Sequence, residues 1–166
     1  AVSEFGYAAI INRLDTQVGG AVLFAKNPQT ASVLSTMASE HGIDKIYLAV
    51  IEGKPENDRG VYEDLLFKDS RKNKSYVVNR MRKGVKKARL EFKRLSEGET
   101  SLVHVRLHTG RSHQIRVQFA SRGFPLVGDH KYGSRDEAAA PMLYSCCLSF
   151  PWQGKQLTFE KLPDWY

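Results

Sequence analysis

The feature that most constrains the fold is a series of short strand candidates separated by tight turns. Three segments rich in β-branched and aromatic residues are predicted as strands: residues 74–80, 87–95 and 102–107. Gly84 lies in the first connection, and Glu97-Gly98-Glu99 forms the second. Connections this short join antiparallel neighbours, so we expect an antiparallel meander.

The first third of the chain predicts a strand–helix–strand unit. A strand over residues 20–26 ends at Asn27, which is a favourable helix cap, and Pro28 is a favourable first residue of a helix. Apolar residues then recur at helical spacing until Gly42, where we expect the helix to end. Residues 45–52 are rich in strand-forming residues and predict the second strand of the unit.

The remaining segments complete a mixed domain. Residues 53–64 are polar and charged, and residues 124–140 are rich in Gly, Pro and charge, so both are predicted as loops, the second with at most a short helix. Two final strands, residues 143–150 and 156–160, are joined by the turn Trp152-Gln153-Gly154. These elements predict one α+β domain, built on a mixed, mostly antiparallel β-sheet with a few flanking helices and loops.

Length and cysteine usage narrow the class of protein. At 166 residues the chain has the length of one domain, residues 1–166, and we expect a monomer. No stretch approaches the ~20 consecutive apolar residues of a membrane span, so a membrane partner is not expected. Cys146 and Cys147 are adjacent, and neighbours in a strand point to opposite faces, which predicts two reduced thiols. Reduced thiols are typical of a cytoplasmic protein.

The net charge of +7 is unevenly distributed. Residues 68–94 contain twelve Lys or Arg and only two acidic residues, so the basicity is local. A basic stripe of this kind can neutralise phosphates, which predicts contact with RNA. The alternative is a solvated hairpin whose lysines protect an edge strand. The candidate RNA-binding residues of the stripe are Lys72, Lys74, Arg80, Arg82, Lys83, Lys86 and Lys87.

A second polar concentration is the segment Thr109-Gly110-Arg111-Ser112-His113-Gln114-Ile115-Arg116, at a predicted turn from strand to helix. Gly110 can bring the backbone close to a ligand, and the following helix start offers free N–H groups to an anion. We expect Ser112 to cap a helix that runs to about Arg122, with Arg116 on the same face as Ser112. Solvent-exposed arginines and a structural His113 are the alternative interpretation.

Four other residues have no single interpretation from the sequence: Asp15, Arg13, His104 and His108. Asp15 precedes an apolar run, where a lone aspartate is usually a turn or capping residue. Arg13 has the same side-chain parity and is a possible ion-pair partner of Asp15. His104 and His108 lie near the 109–116 segment, but no Cys or acid completes a ligand spacing with them, so we expect no metal site.

Several segments recur together in the order of a known enzyme family. They are Arg13-Leu14-Asp15, residues 21–27, residues 45–50 (KIYLAV), residues 109–116, residues 123–129 and the pair Tyr132-Gly133. In this order they resemble the RNA pseudouridine synthases of the RluA type, the uridine isomerases of large-subunit rRNA and of tRNA. The resemblance extends from about Ile11 to the end of the chain.

The resemblance implies an isomerase that detaches uracil from its ribose, rotates it and rejoins it through carbon, without a cofactor or a metal. Asp15 matches the essential aspartate, and Arg116 matches the arginine that pairs with it. Tyr47 matches the tyrosine that stacks on the target base and helps remove a proton. Arg13 matches an arginine that fills the gap left by the flipped nucleotide, and Ile115 matches an apolar residue of the uracil pocket.

The other polar residues of the 109–116 segment are expected to contact RNA with them: Arg111, His113 and Gln114. These roles agree with the chemistry, because a target base must leave the stack before its glycosidic bond is reachable. An aromatic ring then gives the base a stacking surface worth ~1–3 kcal/mol.

The chain departs from the family pattern at two places. Asn12 stands where the family usually has His, and Val18-Gly19-Gly20 stands where it has Thr-Ser-Gly, so we expect altered geometry in the turn after Asp15. Family members also have strands before this turn, often after a small RNA-binding domain. Only eleven residues precede Asn12, and we expect those parts to be missing from this chain.

Two further functions remain as alternatives. The first is a catalytically silent RNA-binding or assembly module that retains the fold. The second is a metal-free glycosidase, which would need two carboxylates flanking the scissile bond. Asp129 is the candidate for the second carboxylate.

Overall fold

An eight-stranded β-sheet organises residues 6–166, the part of the chain that the computed structural model describes. Its strands in chain order are β2 (Gly19–Gly20), β4 (Asp44–Glu52), β5 (Arg59–Asp69), β6 (Lys74–Val78), β7 (Val85–Arg94), β8 (Thr100–Leu107), β9 (Leu143–Trp152) and β10 (Lys155–Glu160). They are arranged β10-β9-β4-β8-β7-β5-β6, and every pair is antiparallel except β2 with β9. The predicted α+β domain with a mixed, mostly antiparallel sheet is therefore confirmed.

Three helical segments and a small second sheet flank this sheet. The segments are α1 (Pro28–Ser39), α2 (Gln114–Ala120) and a 3-10 helix (His130–Tyr132), and the second sheet pairs β1 (Ala9–Ile10) with β3 (Phe24–Ala25). The 3-10 helix confirms a loop with a short helix over residues 124–140. None of the helices within residues 6–166 has the length and apolar character needed to cross a membrane.

The two largest of the three buried apolar clusters in residues 6–166 fix the helices on the sheet. The larger core lies between α2 and the centre of the sheet, where Ile51, Val105 and Phe119 are fully buried. The second core lies beside β9 and β10, where Leu34 of α1 packs against Leu148. Burial of these side chains supplies the main driving force for folding.

The start of α1 agrees with the sequence prediction. The Asn27 side chain accepts a hydrogen bond of 2.8 Å from the N–H of Thr30, and Pro28 is the first helical residue. The helix ends at Ser39, before the predicted end at Gly42. Gly42 closes the following turn, because its N–H donates to the carbonyl of Met37 over 2.8 Å.

The predicted strand over residues 20–26 is wrong. Two short pairings replace it, since β2 pairs with β9 and β3 pairs with β1. Gly20 bends the chain between them with a φ of 121°. The first strand of the expected strand–helix–strand unit is therefore not a neighbour of β4.

The predicted loop over residues 53–64 is wrong from Arg59 onward, and the simple meander is wrong because β6 and β7 are not neighbours. β5 begins at Arg59 and lies between β6 and β7, so β6 is the last strand at this edge of the described sheet. The charged residues that suggest a loop have partners within the fold. Asp64 accepts hydrogen bonds from Gln118 (2.7 Å) and from Arg122 (2.8 Å), both at the end of α2.

The other predicted strands are confirmed with small shifts at their ends. β4, β7, β8 and β9 each begin one or two residues earlier than predicted or extend slightly further. Gln153 and Gly154 have positive φ in the final turn. Cys146 and Cys147 form no disulfide, which confirms the prediction of two free thiols.

Candidate active site

Residues from three distant parts of the chain meet around Asp15. Asp15 lies in the loop after β1, Tyr47 in β4 and Arg116 in α2. The guanidinium Nη1 of Arg116 donates to Oδ2 of Asp15 over 3.0 Å. Tyr47 and Ile115 belong to the buried core next to this pair, together with the half-buried Leu14.

Arg116 is fixed by a second carboxylate. Its Nε and Nη2 donate to the two oxygens of Asp129 over 2.6 Å and 2.8 Å, and the Asp129 side chain is only 1% exposed. Burial alone would lower the pKa of Arg116, but the hydrogen bonds and charges of Asp129 and Asp15 raise it above its ordinary value. Arg116 is therefore a permanent cation whose direction is set by Asp129.

The sequence suggests Asp129 only as the second carboxylate of a glycosidase. Its contacts in the structure indicate a different role. Both of its oxygens are occupied by Arg116, so it acts as a partner to the arginine. Asp15 differs, because its side chain is 28% exposed and Arg116 bonds only Oδ2. Of the two carboxylates, Asp15 is the one that a molecule in solution can reach.

The turn that carries Asp15 depends on Asn12, which departs from the family pattern, and on Gly20, which matches it. The Asn12 side chain accepts from the N–H of Leu23 over 2.7 Å and donates to the carbonyl of Ala21 over 3.2 Å, which closes the loop across its base. A Cβ on Gly20 would lie 2.3 Å from the carbonyl oxygen of Ser145. Asn12 and Gly20 therefore fix the loop in this chain, while Arg13 is exposed at its surface.

Tyr47 is almost fully buried, with 7% of its surface exposed. Burial raises the pKa of its phenol to about 12; Ser145 opposes this, and the charge of Asp15 adds a weaker increase. The phenol is therefore protonated near neutral pH. The pairing of β4 with β9 shifts register between Ile46 and Tyr47, where Cys146 forms a bulge opposite them. Bulges of this kind re-aim side chains next to functional sites.

The turn before α2 differs from its prediction. The cap residue is His113, in a left-handed conformation with φ 53°, and the predicted cap Ser112 instead offers its carbonyl to the hydroxyl of Ser75 over 2.7 Å. The buried His113 ring has its Nδ1 2.8 Å from the hydroxyl of Tyr132 and its Nε2 3.9 Å from Oδ1 of Asp15. Sequence reasoning misses Ser75, and it includes Tyr132 only as part of a motif.

Two of the predicted RNA contacts also hold the 109–113 turn together. The amide oxygen of the buried Gln114 accepts from the Thr109 hydroxyl over 2.8 Å and from the Arg111 N–H over 3.0 Å. The amide nitrogen of Gln114 donates to the carbonyl of Arg89. The Arg111 guanidinium donates to the carbonyl of Lys87, which joins this turn to β7.

The basic stripe lies along the β5–β6–β7 edge and reaches both faces of the sheet. Lys86 is paired with Leu66, which packs toward α2, whereas Lys87 is paired with Leu65 on the other face. The remaining predicted cations of the stripe are exposed except for the half-buried Lys74: Lys72, Lys74, Arg80, Arg82 and Lys83.

Two exposed cations act on His113. Burial is the main cause of the lowered pKa of His113, and the charges of Lys131 and Lys68 add to it. Lys68 belongs to the predicted basic stripe, whereas sequence reasoning misses Lys131, because nothing in a linear reading separates it from the other lysines. Within residues 6–166 no cluster of His, Cys, Asp and Glu is arranged to hold a metal ion.

Comparisons with known proteins agree with one another. The sequence matches the family described as RNA pseudouridylate synthase over residues 5–121. It is 34% identical to an uncharacterized RNA pseudouridine synthase of Aquifex aeolicus over 82% of this chain and 43% of that protein. It is also 34% identical to the ribosomal large subunit pseudouridine synthase D of Borreliella burgdorferi, over 76% of this chain and 39% of that protein.

Solved structures give the same fold. Human RNA pseudouridylate synthase domain containing 1 superposes with a TM-score of 0.82 at 24% identity, over 96% of this chain and 70% of that chain. Human RNA pseudouridylate synthase domain containing 4 gives a TM-score of 0.81 at 21% identity, over 96% of this chain and 75% of that chain. The chain spans about half the length of the curated relatives that it matches.

Proposed function

This chain belongs to the RNA pseudouridylate synthase family, and from that premise we propose that it converts uridine to pseudouridine in structured RNA, either rRNA or tRNA. The observation that carries the proposal is the ion pair of Asp15 with Arg116 beside Tyr47. A reachable carboxylate, a fixed cation and a buried aromatic ring are brought together, although Asp15 and Arg116 lie about a hundred residues apart in the sequence.

The proposed reaction rearranges bonds without an external reagent. The bond between N1 of uracil and C1′ of ribose breaks, and a bond between C5 and C1′ forms. C5 loses its proton and N1 gains one, so that the product is an isomer of the substrate. Asp15 either attacks the sugar or takes a proton from it, and Arg116 holds the carboxylate in position for that step.

Tyr47 contributes mainly as a surface for the base. Its phenol is protonated at neutral pH because burial raises its pKa to about 12. It would accept the C5 proton only after giving up its own. The flat ring, next to the apolar Ile115, is suited to stack on uracil once the nucleotide has left the helix.

RNA would be held by the basic edge and by exposed cations near Asp15. Arg13 is exposed beside the carboxylate and is placed to occupy the gap left by the flipped nucleotide. The stripe on β5–β7, with Lys68 and Lys131, would bind phosphates with little sequence preference. Cys146 and Cys147 form no disulfide, which supports a cytoplasmic location.

The test is tritium release from RNA transcribed with uridine labelled at C5. Unmodified rRNA and tRNA transcripts are incubated with the parent chain and with Asp15→Asn. We expect the substitution to abolish release, by at least about a thousandfold, and to leave RNA affinity within about twofold. Asp44→Asn is the matched control, because it changes the same residue type in an exposed ion pair with Arg106.

Equal rates for the parent and Asp15→Asn would remove Asp15 from the mechanism. The silent RNA-binding module predicts a different result, in which the parent binds the transcripts but releases no tritium. The ribosomal name of the Borreliella burgdorferi relative makes large-subunit rRNA the first transcript to test.

A further inference from the structure

His113 occupies a backbone conformation that is uncommon for residues other than glycine. Its φ of 53° lies in the left-handed region, where His, Asn and Asp are the non-glycine residues found most often. Its side chain makes no capping hydrogen bond to α2 and is instead 8% exposed beneath Asp15. Strain at a buried position is retained where the surrounding structure uses the side chain.

The His113 ring is the middle of a hydrogen-bonded chain. The backbone N–H of Ser75, on β6, donates to the hydroxyl oxygen of Tyr132 over 2.8 Å. The same hydroxyl is 2.8 Å from Nδ1 of His113, and the two rings pack edge to face with centroids 5.7 Å apart. The hydroxyl of Ser75 bonds the carbonyl of Ser112 and so ties β6 to the same turn.

The direction of these bonds sets the tautomer of His113. A backbone N–H can only donate, so the Tyr132 oxygen accepts from Ser75. Burial raises the pKa of Tyr132 to about 12, so its hydroxyl keeps its proton and can donate that proton to Nδ1. A neutral imidazole that accepts at one nitrogen carries its hydrogen on the other. The tautomer that these bonds favour therefore has its hydrogen on Nε2, 3.9 Å from Oδ1 of Asp15.

We propose that Tyr132 and His113 are positioning residues that hold an Nε2–H donor toward Oδ1 of Asp15 while Arg116 holds Oδ2. The two oxygens of Asp15 are thereby distinguished, because Oδ2 has a short bond to a cation and Oδ1 faces a neutral donor beyond hydrogen-bond distance. Oδ1 keeps its lone pairs for the substrate, and the bond from Arg116 to Oδ2 restricts rotation of the carboxylate. The functional part of this proposal rests on Asp15 being the reacting carboxylate.

The charges that face His113 favour its neutral form. Burial lowers the pKa of His113, Asp15 opposes this, and the cations Arg116, Lys131 and Lys68 add to the lowering. Lys74 lies with its Nζ 5.1 Å from the centre of the Tyr132 ring. His113 is therefore uncharged at neutral pH, as the proposed tautomer requires.

The tautomer is tested by ¹⁵N NMR of the histidine rings. In the parent chain we expect the His113 spectrum of a neutral ring protonated at Nε2. Tyr132→Phe removes the donor to Nδ1 and should give a mixture of tautomers with a higher His113 pKa. Tyr76→Phe is the control, because it removes an exposed phenol on β6 and should change neither value. A parent ring protonated at Nδ1, or a Tyr132→Phe spectrum like that of the parent, would overturn the assignment.

The positioning role is tested with two substitutions of His113. Gln places an N–H donor near the position of Nε2, whereas Asn reaches only the position of Nδ1 and is tolerated in a left-handed conformation. We expect His113→Asn to lower kcat on the labelled transcripts about a hundredfold and His113→Gln by less than about tenfold, with KM within about twofold. Equal kcat for both variants and the parent would refute the role.

A readout without turnover separates this proposal from the proposed function. The Asp15 carboxyl ¹³C chemical shift at neutral pH should move in His113→Asn and return toward the parent value in His113→Gln. This result would support the positioning role of His113 even if no transcript released tritium. An unchanged chemical shift in both variants would refute the positioning role even in an active enzyme.

Discussion

The Asp15 site and the basic edge of the sheet use charge in opposite ways. In the site, the Arg116 and Asp129 side chains are only 7% and 1% exposed, and each has a fixed partner. Along the edge, Lys83 and Lys86 are exposed to solvent. A buried pair holds groups in a single geometry, whereas exposed charges act at a distance and are screened by salt. The comparison separates charges that are held in one geometry from charges that act at a distance.

The strongest test of this contrast is Asp129→Asn. Removing the carboxylate leaves the buried Arg116 with an incomplete partner set, so we expect unfolding free energy to fall by about 3–5 kcal/mol. Urea denaturation measures the change. Asp44→Asn, which breaks an exposed pair with Arg106, should cost no more than about 1 kcal/mol. Similar losses for the two variants would mean that burial does not distinguish the regions.

A second difference concerns alkaline pH. The pKa of Tyr47 is about 12 in the folded chain against 10.0 in its ordinary state. The native state therefore holds this proton more tightly. The resulting contribution to the unfolding free energy is fully present below pH 10 and is lost as pH rises through 12. We expect a loss of about 2–3 kcal/mol over that range. Tyr47→Phe should make the curve of unfolding free energy against pH flatter, and an unchanged slope would contradict the assignment.

Charge reversals along the basic edge should change RNA affinity and leave the unfolding free energy nearly unchanged. Reversing Lys83, Lys86 and Lys87 to Glu removes exposed charges, so we expect stability to change by less than about 0.5 kcal/mol for each. RNA affinity should fall, and its dependence on salt should become less steep by about one unit of slope for each phosphate that the chain no longer neutralises. Filter binding of tRNA transcripts at several salt concentrations measures both. An unchanged slope would place the RNA path elsewhere.

The smallest expected effect is a loss of stability at acid pH that is linked to the lowered pKa of His113. Its pKa in the folded chain is lower than the ordinary 6.5, chiefly because of burial. The unfolded chain therefore binds the proton more readily, and stability is full above pH 6.5 and declines as pH falls through the folded pKa. His113→Asn should remove this decline between neutral and mildly acidic pH. Persistence of the same decline would assign it to other groups.

Sequence patterns predict local elements better than their arrangement. The Asn27–Pro28 helix start and the β4, β7, β8 and β9 strands follow from short-range preferences. The position of β5 does not, because Asp64 is charged and its partners, Gln118 of α2 and Arg122 just after it, lie more than fifty residues away. A linear reading cannot distinguish a charged loop from a strand whose charges are paired by another element.

The same limit applies to the site. The resemblance to a family groups Asp15, Tyr47 and Arg116, and the distance between Asp15 and Arg116 agrees with this. Asp129 and Tyr132 lie in the segments that carry the resemblance, yet their partners are visible only in three dimensions. Ser75 carries no signal in the sequence, since it acts largely through its backbone N–H.

Arg116 holds two carboxylates with one positive charge, so this triad has a net charge of −1 within a basic surface. A polyanion that approaches such a surface is drawn to the cations at the periphery and repelled from the centre. The centre is therefore a place where a phosphate is disfavoured and an uncharged sugar or base is not. In the proposed reaction, this charge would favour entry of a nucleotide with its base or sugar, rather than its phosphate, facing Asp15.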